Sequence, residues 1–384
     1  MFLSNITLTN WRNFTEASFS LGETTTYIIG PNASGKSNLL DVLRFMRDIA
    51  KPQGGGLQQA MASRGGISKI RCLAARRNPA IRLEFKFIDE KKDDTEITWR
   101  YILEVKSEGS GRQRPIVNTE EVFRGDNRIL HRPNSQDRAD TERLLQTHLE
   151  STSDNQEFRA ITEFFANVLY LHLVPQLLKY SDQLLWNSAE SDPFGQRFLE
   201  EVSKTQKKTR GARLSKIGEV LGKVIPNLSK LEFEQDEVTG RPHLKMRYEH
   251  WRSQGAWQRE DQFSDGTLRL IGMLWTLLSA NRTILLEEPE LSLHTAVVRQ
   301  IPDIIRWAQR ERRKPGAQVL ISTHSEVMLS ETSIDGTFLI LSPGEKGEAT
   351  RIEGPSGDDS EAMRAGLSAA DVLLPKTATS VKGI

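Results

Sequence analysis

Cysteine is nearly absent from this chain: Cys72 is the single one among 384 residues. Its isolation excludes an internal disulfide and a zinc site built on several thiolates, and it fits a reducing compartment. Cys72 itself reads as a small buried hydrophobe. An excess of one charge is missing too. Lys and Arg total 52 against 51 Asp and Glu, so there is no uniform basic coat for nucleic acid, and any such surface must be local. No apolar run is long enough to span a bilayer, and the opening MFLSNITLTNW has no basic n-region. A cytoplasmic protein without a membrane segment is therefore expected. Sustained heptads are also lacking, which excludes a long coiled coil. The length allows one large or two to three smaller domains with ample core.

What is present divides into three stretches. Residues 2–29 alternate as two or three strands, and IRLEFKFID and ITWRYILEVK continue the period of two, predicting antiparallel strands of one lobe. From about 136 to 224 the apolar spacing turns to three and four, in TERLLQTHLE, FRAITEFFANVLYL and RLSKIGEVLGKVI, with Pro175, Pro193 and Pro226 between the segments. This predicts an inserted, mostly helical arm. A hairpin follows, KLEFEQDE and HLKMRYEHW. The last third alternates short apolar runs (TILLE, VLIST, TFLIL) with helical segments, the pattern of a parallel sheet buried on both faces. The fold class expected is α/β, divided as 1–130, 131–228 (the arm), 229–354 and a tail, 355–384, whose AADVLL predicts a loosely attached terminal helix with a flexible end.

The chemistry concentrates in residues 30–37, GPNASGKS, set between the strand Thr26–Ile29 and a helix beginning NLLDVLRFM. A strand, then Gly-x-x-x-x-Gly-Lys-Ser, then a helix is a phosphate-binding loop. Gly30 and Gly35 let the backbone of Asn32, Ala33 and Ser34 turn its N–H groups toward a β-phosphate, and the helix adds its positive end. Lys36 supplies a mobile cation, and Ser37 a hydroxyl for Mg²⁺. The run Ile284–Pro289 ends four apolar or acidic strand positions in two carboxylates. Adjacent strand-end residues point apart, so Glu287 can face a metal while Glu288 faces a water behind the γ-phosphate as general base. His324 follows the VLIST strand and begins a helical turn, where it is placed to reach the γ-phosphate or that water. Ser264 and Asp265 begin the helix LRLIGMLWTLL, and taken alone they are ordinary N-cap residues.

Together GPNASGKSNLLD, FSDGTLRL, ILLEEPELSLH and ISTHS, in that order, resemble the ABC-type AAA ATPases of the OLD, RecF and SMC-like group, in a stand-alone form that ends before a Toprim nuclease domain. The resemblance implies an SMC-head-like nucleotide-binding fold, with a mixed or parallel sheet, an antiparallel β lobe and a helical insertion. It implies ATP and Mg²⁺ as ligands, ATP hydrolysis, and Arg12 and Asn13 of NWRNF near the nucleotide. It further makes Ser264, Asp265, Gly266 and Thr267 a signature loop that caps ATP held by a second protomer, in a homodimer of ATP-sandwiched heads that can enter a larger assembly. The pair Glu287 and Glu288 replaces the commoner Asp-Glu, as in the OLD-type members. No Q-loop stands out; Gln58 and Gln59 are candidates. Asp358, Asp359 and Glu361 read as a solvated loop. The expected role is a sensor or scaffold controlling a separately encoded effector, a nuclease among the candidates, in antiviral defence. The alternative is a RecF-like DNA-binding ATPase of repair, using the basic stretch Lys204, Lys207, Lys208, Arg210, Arg213 and Lys216. Without interleaved aromatics, that stretch also reads as a solvated loop. A second cluster, Arg310, Arg312, Arg313 and Lys314, complements a helix C-terminus.

Overall fold

The computed structural model describes residues 1–75, 80–90, 96–109, 112–172, 174–179, 198–249, 256–279, 283–311, 318–332, 336–344 and 349–377. Pro193, Arg312, Arg313 and Lys314 lie outside the described residues. In chain order the strands are β1 (Phe2–Trp11), β2 (Phe14–Ser20), β3 (Thr25–Ile29), β4 (Ile81–Glu90), β5 (Glu96–Gly109), β6 (Arg112–Arg124), β7 (Asn127–Arg132), β8 (Leu169–Leu171), β9 (Leu228–Gln235), β10 (Pro242–Tyr248), β11 (Ala256–Arg259), β12 (Ile284–Glu287), β13 (Val319–Thr323), β14 (Thr337–Ser342) and β15 (Arg351–Glu353). They form three sheets. One is antiparallel in the order β2-β1-β4-β5-β6-β7; a small antiparallel one runs β11-β10-β9; the third runs β15-β14-β3-β13-β12-β8 and is parallel except for β15.

Alternation along the parallel strands divides the core in two. Ile28, Leu285, Leu320, Leu339 and Leu341 face one side, where they meet the helix Lys36–Ala50 and the inner face of the large antiparallel sheet. Their neighbours Tyr27, Ile29, Ile284, Leu286, Val319, Ile321, Phe338 and Ile340 face the other, against the helices Asp265–Ser279 and Ile301–Arg310. Both faces of these strands are thus buried, as their β-branched and leucine-rich runs require. Each such large side chain contributes roughly 1.5–3 kcal/mol by leaving water. Buried Gln318, just before β13, joins the parallel sheet to the large antiparallel one: its amide oxygen accepts from Leu3 N at 2.8 Å and its amide nitrogen donates to the carbonyls of Leu3 and Gly22 at 2.8 Å.

The region between β7 and β9 contains the expected helices, with Arg159–Ala166 and Lys207–Val224 the longest. It also contains β8, which pairs in parallel with β12 and so places part of this segment in the parallel sheet. The run TERLLQTHLE departs from the expected helix, with only a 3₁₀ segment, Thr141–Leu145. The Arg132 guanidinium takes the carbonyls of Arg143 and Gln146, which a continuing helix would need. The terminal helix expected in the tail is present, and over the described residues it is packed rather than loosely attached. Ser356 and Asp359 form a capping box for the helix Gly357–Arg364, and the helix Ala369–Thr377 buries Ala369, Ala370 and Leu373 in the second core. Cys72 is buried, as expected of a small hydrophobe.

Candidate functional site

The carboxyl ends of three neighbouring strands converge. Ile29 of β3 is opposite Thr323 of β13, and Ser322 of β13 is opposite Glu287 of β12. The loop that leaves β3 is tightly fitted. A Cβ on Gly30 would lie 2.5 Å from Ser34 Oγ and 2.8 Å from the Leu341 carbonyl. Gly35 has φ +97°, and a Cβ there would lie 2.1 Å from the Asn13 amide nitrogen, so only glycine fits either position. Asn32 and Ala33 form the exposed rim, while Ser34 is fully buried. The Lys36 ammonium donates to the carbonyls of Gly30 at 2.8 Å and Pro31 at 3.0 Å. Burial lowers its pKa, against the pull of Glu288, Glu290 and Glu287.

Asn13 sits beneath the loop. Its amide nitrogen donates to the Ser34 carbonyl at 3.1 Å and to Thr350 Oγ1 at 2.7 Å, and its oxygen accepts from Asn38 at 2.8 Å. Thr350 Oγ1 also donates to the Ser34 carbonyl at 3.0 Å. Asn13 therefore grips the phosphate loop by its backbone, and Thr350, absent from the sequence reading, shares that task. Arg12 turns to Asp41, at 2.9 Å.

On the acidic side, Glu287 accepts hydrogen bonds from the Ser37 hydroxyl on one carboxylate oxygen and from the Tyr170 phenol on the other. Glu288 leaves the strand with φ 44°, an unusual value for a side chain of this kind. The turn brings one of its oxygens to 3.1 Å from His324 Nδ1. Both expected partners of the reacting water therefore meet. Behind them Glu290 is buried and accepts from Thr323 Oγ1, while its Oε2 has no hydrogen-bond partner among the described residues. Burial pushes the Glu290 carboxyl up, against the Thr323 bond. A serine hydroxyl in contact with a carboxylate is the hard-oxygen donor pair that suits Mg²⁺, which takes one or two protein carboxylates plus substrate phosphates. Among the described residues no group of three or more His, Cys, Asp or Glu is placed to hold a metal without such a substrate.

Ser264 caps the helix Asp265–Ser279: its Oγ accepts from the Thr267 N–H at 3.1 Å and lies 2.8 Å from Thr267 Oγ1. Ser264 is exposed, and Gly266 is packed so that a Cβ would lie 2.6 Å from the Ser292 carbonyl. Asp265 is held by Lys179 at 2.9 Å and by Gln176 at 2.6 Å, both from the segment after β8. Gln58 is bound away from the site, on the carbonyls of Pro115 and Leu145 at 2.8 Å. In the basic stretch, Arg210 stacks 3.8 Å from the Phe233 ring centroid and Arg213 5.3 Å from that of Trp275. Lys204 pairs with Glu200 and Lys216 with Glu311. Asp359 pairs with Lys376 and caps its own helix rather than lying in a free loop.

A phosphate loop on a parallel strand, with a carboxylate pair and a histidine at the neighbouring strand ends, defines a P-loop ATPase. The comparisons place it further. The family described as "AAA domain, putative AbiEii toxin, Type IV TA system" matches residues 26–330, and the "P-loop containing region of AAA domain" matches residues 3–46. The chain belongs to this AAA family. Its fold is that of an SMC head. A head described as bound to the C-winged helix domain of ScpA matches with TM-score 0.57 and 17% identity over 94% of this chain and 100% of that one. The Thermotoga maritima SMC head gives 0.51 and 13% over 93% and 100%. The Pyrococcus furiosus head gives 0.53 and 14% over 95% and 98%. The chain is also similar to the DNA replication and repair protein RecF of Geobacillus kaustophilus, 30% identical over 84 residues, which are 22% of this chain and 23% of that relative. That match spans less than a quarter of the relative's length. No helix among the described residues is long and apolar enough to cross a membrane.

Proposed function

We propose that the chain is a Mg²⁺-dependent ATPase whose ATP-bound copies close head to head as a homodimer, and that this closure controls a separately encoded effector. The observation that supports it best is the convergence of Lys36, Ser37, Glu287, Glu288 and His324 at the ends of β3, β12 and β13, with Ser264 exposed at the start of the helix that it caps. Lys36 leaves the loop carbonyls for the β- and γ-phosphates. Glu288, held by His324, takes a proton from the water that attacks the γ-phosphorus, giving ADP and phosphate. Ser37 and Glu287 would hold Mg²⁺, which supplies charge neutralisation at the phosphate oxygens. The helix start at Ser264, with its N–H groups and positive dipole end, suits a γ-phosphate offered by the partner protomer. ADP lacks that phosphate, so the two nucleotides have different affinities for the closed state and can drive the switch.

The toxin–antitoxin wording of the family description favours a partner-controlled role in cytoplasmic defence, with a nuclease as the effector class proposed and assemblies larger than two open to it. The mass of Glu288→Gln in solution with Mg-ATP, with ADP and without nucleotide tests the dimer. An ATP-only doubling is expected; a mass indifferent to nucleotide rejects the switch. The RecF match favours a second reading, an ATP-dependent DNA-binding ATPase of repair. With Arg210 and Arg213 stacked on aromatic rings, exposed Lys207 and Lys208 are the residues to alter. DNA binding that tightens with ATP and weakens with salt and with their loss supports it.

A further inference from the structure

We infer that Tyr170 is a positioning residue for the metal-facing carboxylate of Glu287, with the Arg44 guanidinium fixing its ring. The inference rests on the assignment of Ser37 and Glu287 to Mg²⁺ above. The geometry follows from strand register. In the parallel pair β8 and β12, Tyr170 lies opposite Leu285, two residues before Glu287. Side chains two apart share a face, so Tyr170, Leu285 and Glu287 all point toward the phosphate-loop helix; Tyr170 and Leu285 indeed lie in the same core. Two residues along a strand advance about 6.6 Å, close to the reach of a tyrosine side chain lying along the sheet. The phenol thus ends at the carboxylate, where it donates to Oε2 while Ser37 donates to Oε1.

The ring is fixed from its other side. Arg44, from the helix Lys36–Ala50, places its guanidinium carbon 4.0 Å from the Tyr170 ring centroid. Two hydroxyls on separate oxygens hold the carboxylate plane. Mg²⁺ demands near-ideal octahedral geometry, and partners of a ligating carboxylate are where such geometry is set. A phenylalanine at 170 would keep the packing and the Arg44 stack and remove only this restraint.

The test is equilibrium binding of a fluorescent ATP analogue to the full chain, once in EDTA and once in excess Mg²⁺, for wild type, Tyr170→Phe and Glu287→Ala. The quantity read is the ratio of the two affinities. For Tyr170→Phe we expect unchanged affinity in EDTA and a Mg²⁺ gain reduced roughly tenfold, the lower end of what loss of a second-sphere partner costs a metal site. A full Mg²⁺ gain in Tyr170→Phe, with Glu287→Ala losing it, overturns the inference and leaves the metal assignment standing. A gain retained by both variants overturns the metal assignment and the inference with it. Loss of binding in EDTA as well would make Tyr170 a packing residue and also overturn it.

Discussion

Lys36 rests on two loop carbonyls, and three nearby carboxylates offset part of the lowering of its pKa by burial, so its charge is compensated by the protein. Lys36→Ala removes the cation that answers the β- and γ-phosphates, and the expected outcome is loss of detectable ATP binding in calorimetry with circular dichroism unchanged. Glu288 is different, because its backbone is turned to φ 44° to meet His324. Glu288→Gln keeps the size and loses the base, so hydrolysis should fall by about a hundredfold or more while ATP affinity holds. Wild-type turnover in that variant would assign the base elsewhere. These residues were legible in the sequence because each belongs to a contiguous run with its own punctuation: a glycine loop, an acidic strand end, a strand-end histidine. Tyr170, Thr350 and Glu290 were not. Tyr170 acts across a strand pairing, and Thr350 meets Asn13 from 337 residues away. Glu290 stands beside two acids that had already taken the expected roles. Asn13 was found near the right place, yet its amide serves the loop backbone.

At the scale of elements, the strands not read from the sequence are β6, β7, β8, β11 and β15, and of these β8 is the one that pairs with β12. Three residues between helical segments carry no measurable alternation, and only their pairing with β12 identifies them. The segment that follows binds Asp265 through Gln176 and Lys179, so one stretch touches both Glu287 and the signature helix. Gly266→Ala probes that helix start: a Cβ 2.6 Å from the Ser292 carbonyl must displace one or the other. Such a variant should bind ATP normally and, in the Glu288→Gln background, fail to dimerise in light scattering. The antiparallel lobe depends on another buried cluster. Arg132 bonds Asp137 through two nitrogens at 3.0 and 2.9 Å and Glu120 at 3.0 Å, all three nearly free of solvent. Arg132→Met leaves Glu120 without its counter-ion and Asp137 with Arg143 at 3.5 Å, and should cost about 3–5 kcal/mol in urea unfolding. Burial alone would raise Asp137; the Arg132 bonds and the Asn134 N–H outweigh it and hold the group at about 2. An unfolded aspartate titrates near 3.9 and takes up its proton first as the pH falls. The stability from this pair is thus present above about pH 4 and lost toward pH 2, and that acid slope should be smaller in Arg132→Met.

At the scale of the molecule, the parallel sheet, the antiparallel lobe and the helical insertion were legible because period and length change along the chain. The joining of the lobes through Gln318 was not, since a glutamine before a strand has no pattern of its own. What the whole molecule does depends on whether Ser264 serves the ATP of its own copy or of a second one, and complementation decides it. In an isologous dimer each site takes its phosphate loop from one protomer and its signature loop from the other. Lys36→Ala disables one half and Ser264→Arg the other, so each variant alone should be inactive. Mixed, half of the dimers pair the two variants, and each such pair contains one doubly damaged site and one intact site. Phosphate release should then recover to about a quarter of wild type at equal mixing, at concentrations where Glu288→Gln is dimeric with ATP. If Ser264 acted on its own protomer's nucleotide, every site in the mixture would be damaged. Activity no greater than the two variants assayed apart would then place the signature loop in cis and remove the head-to-head dimer.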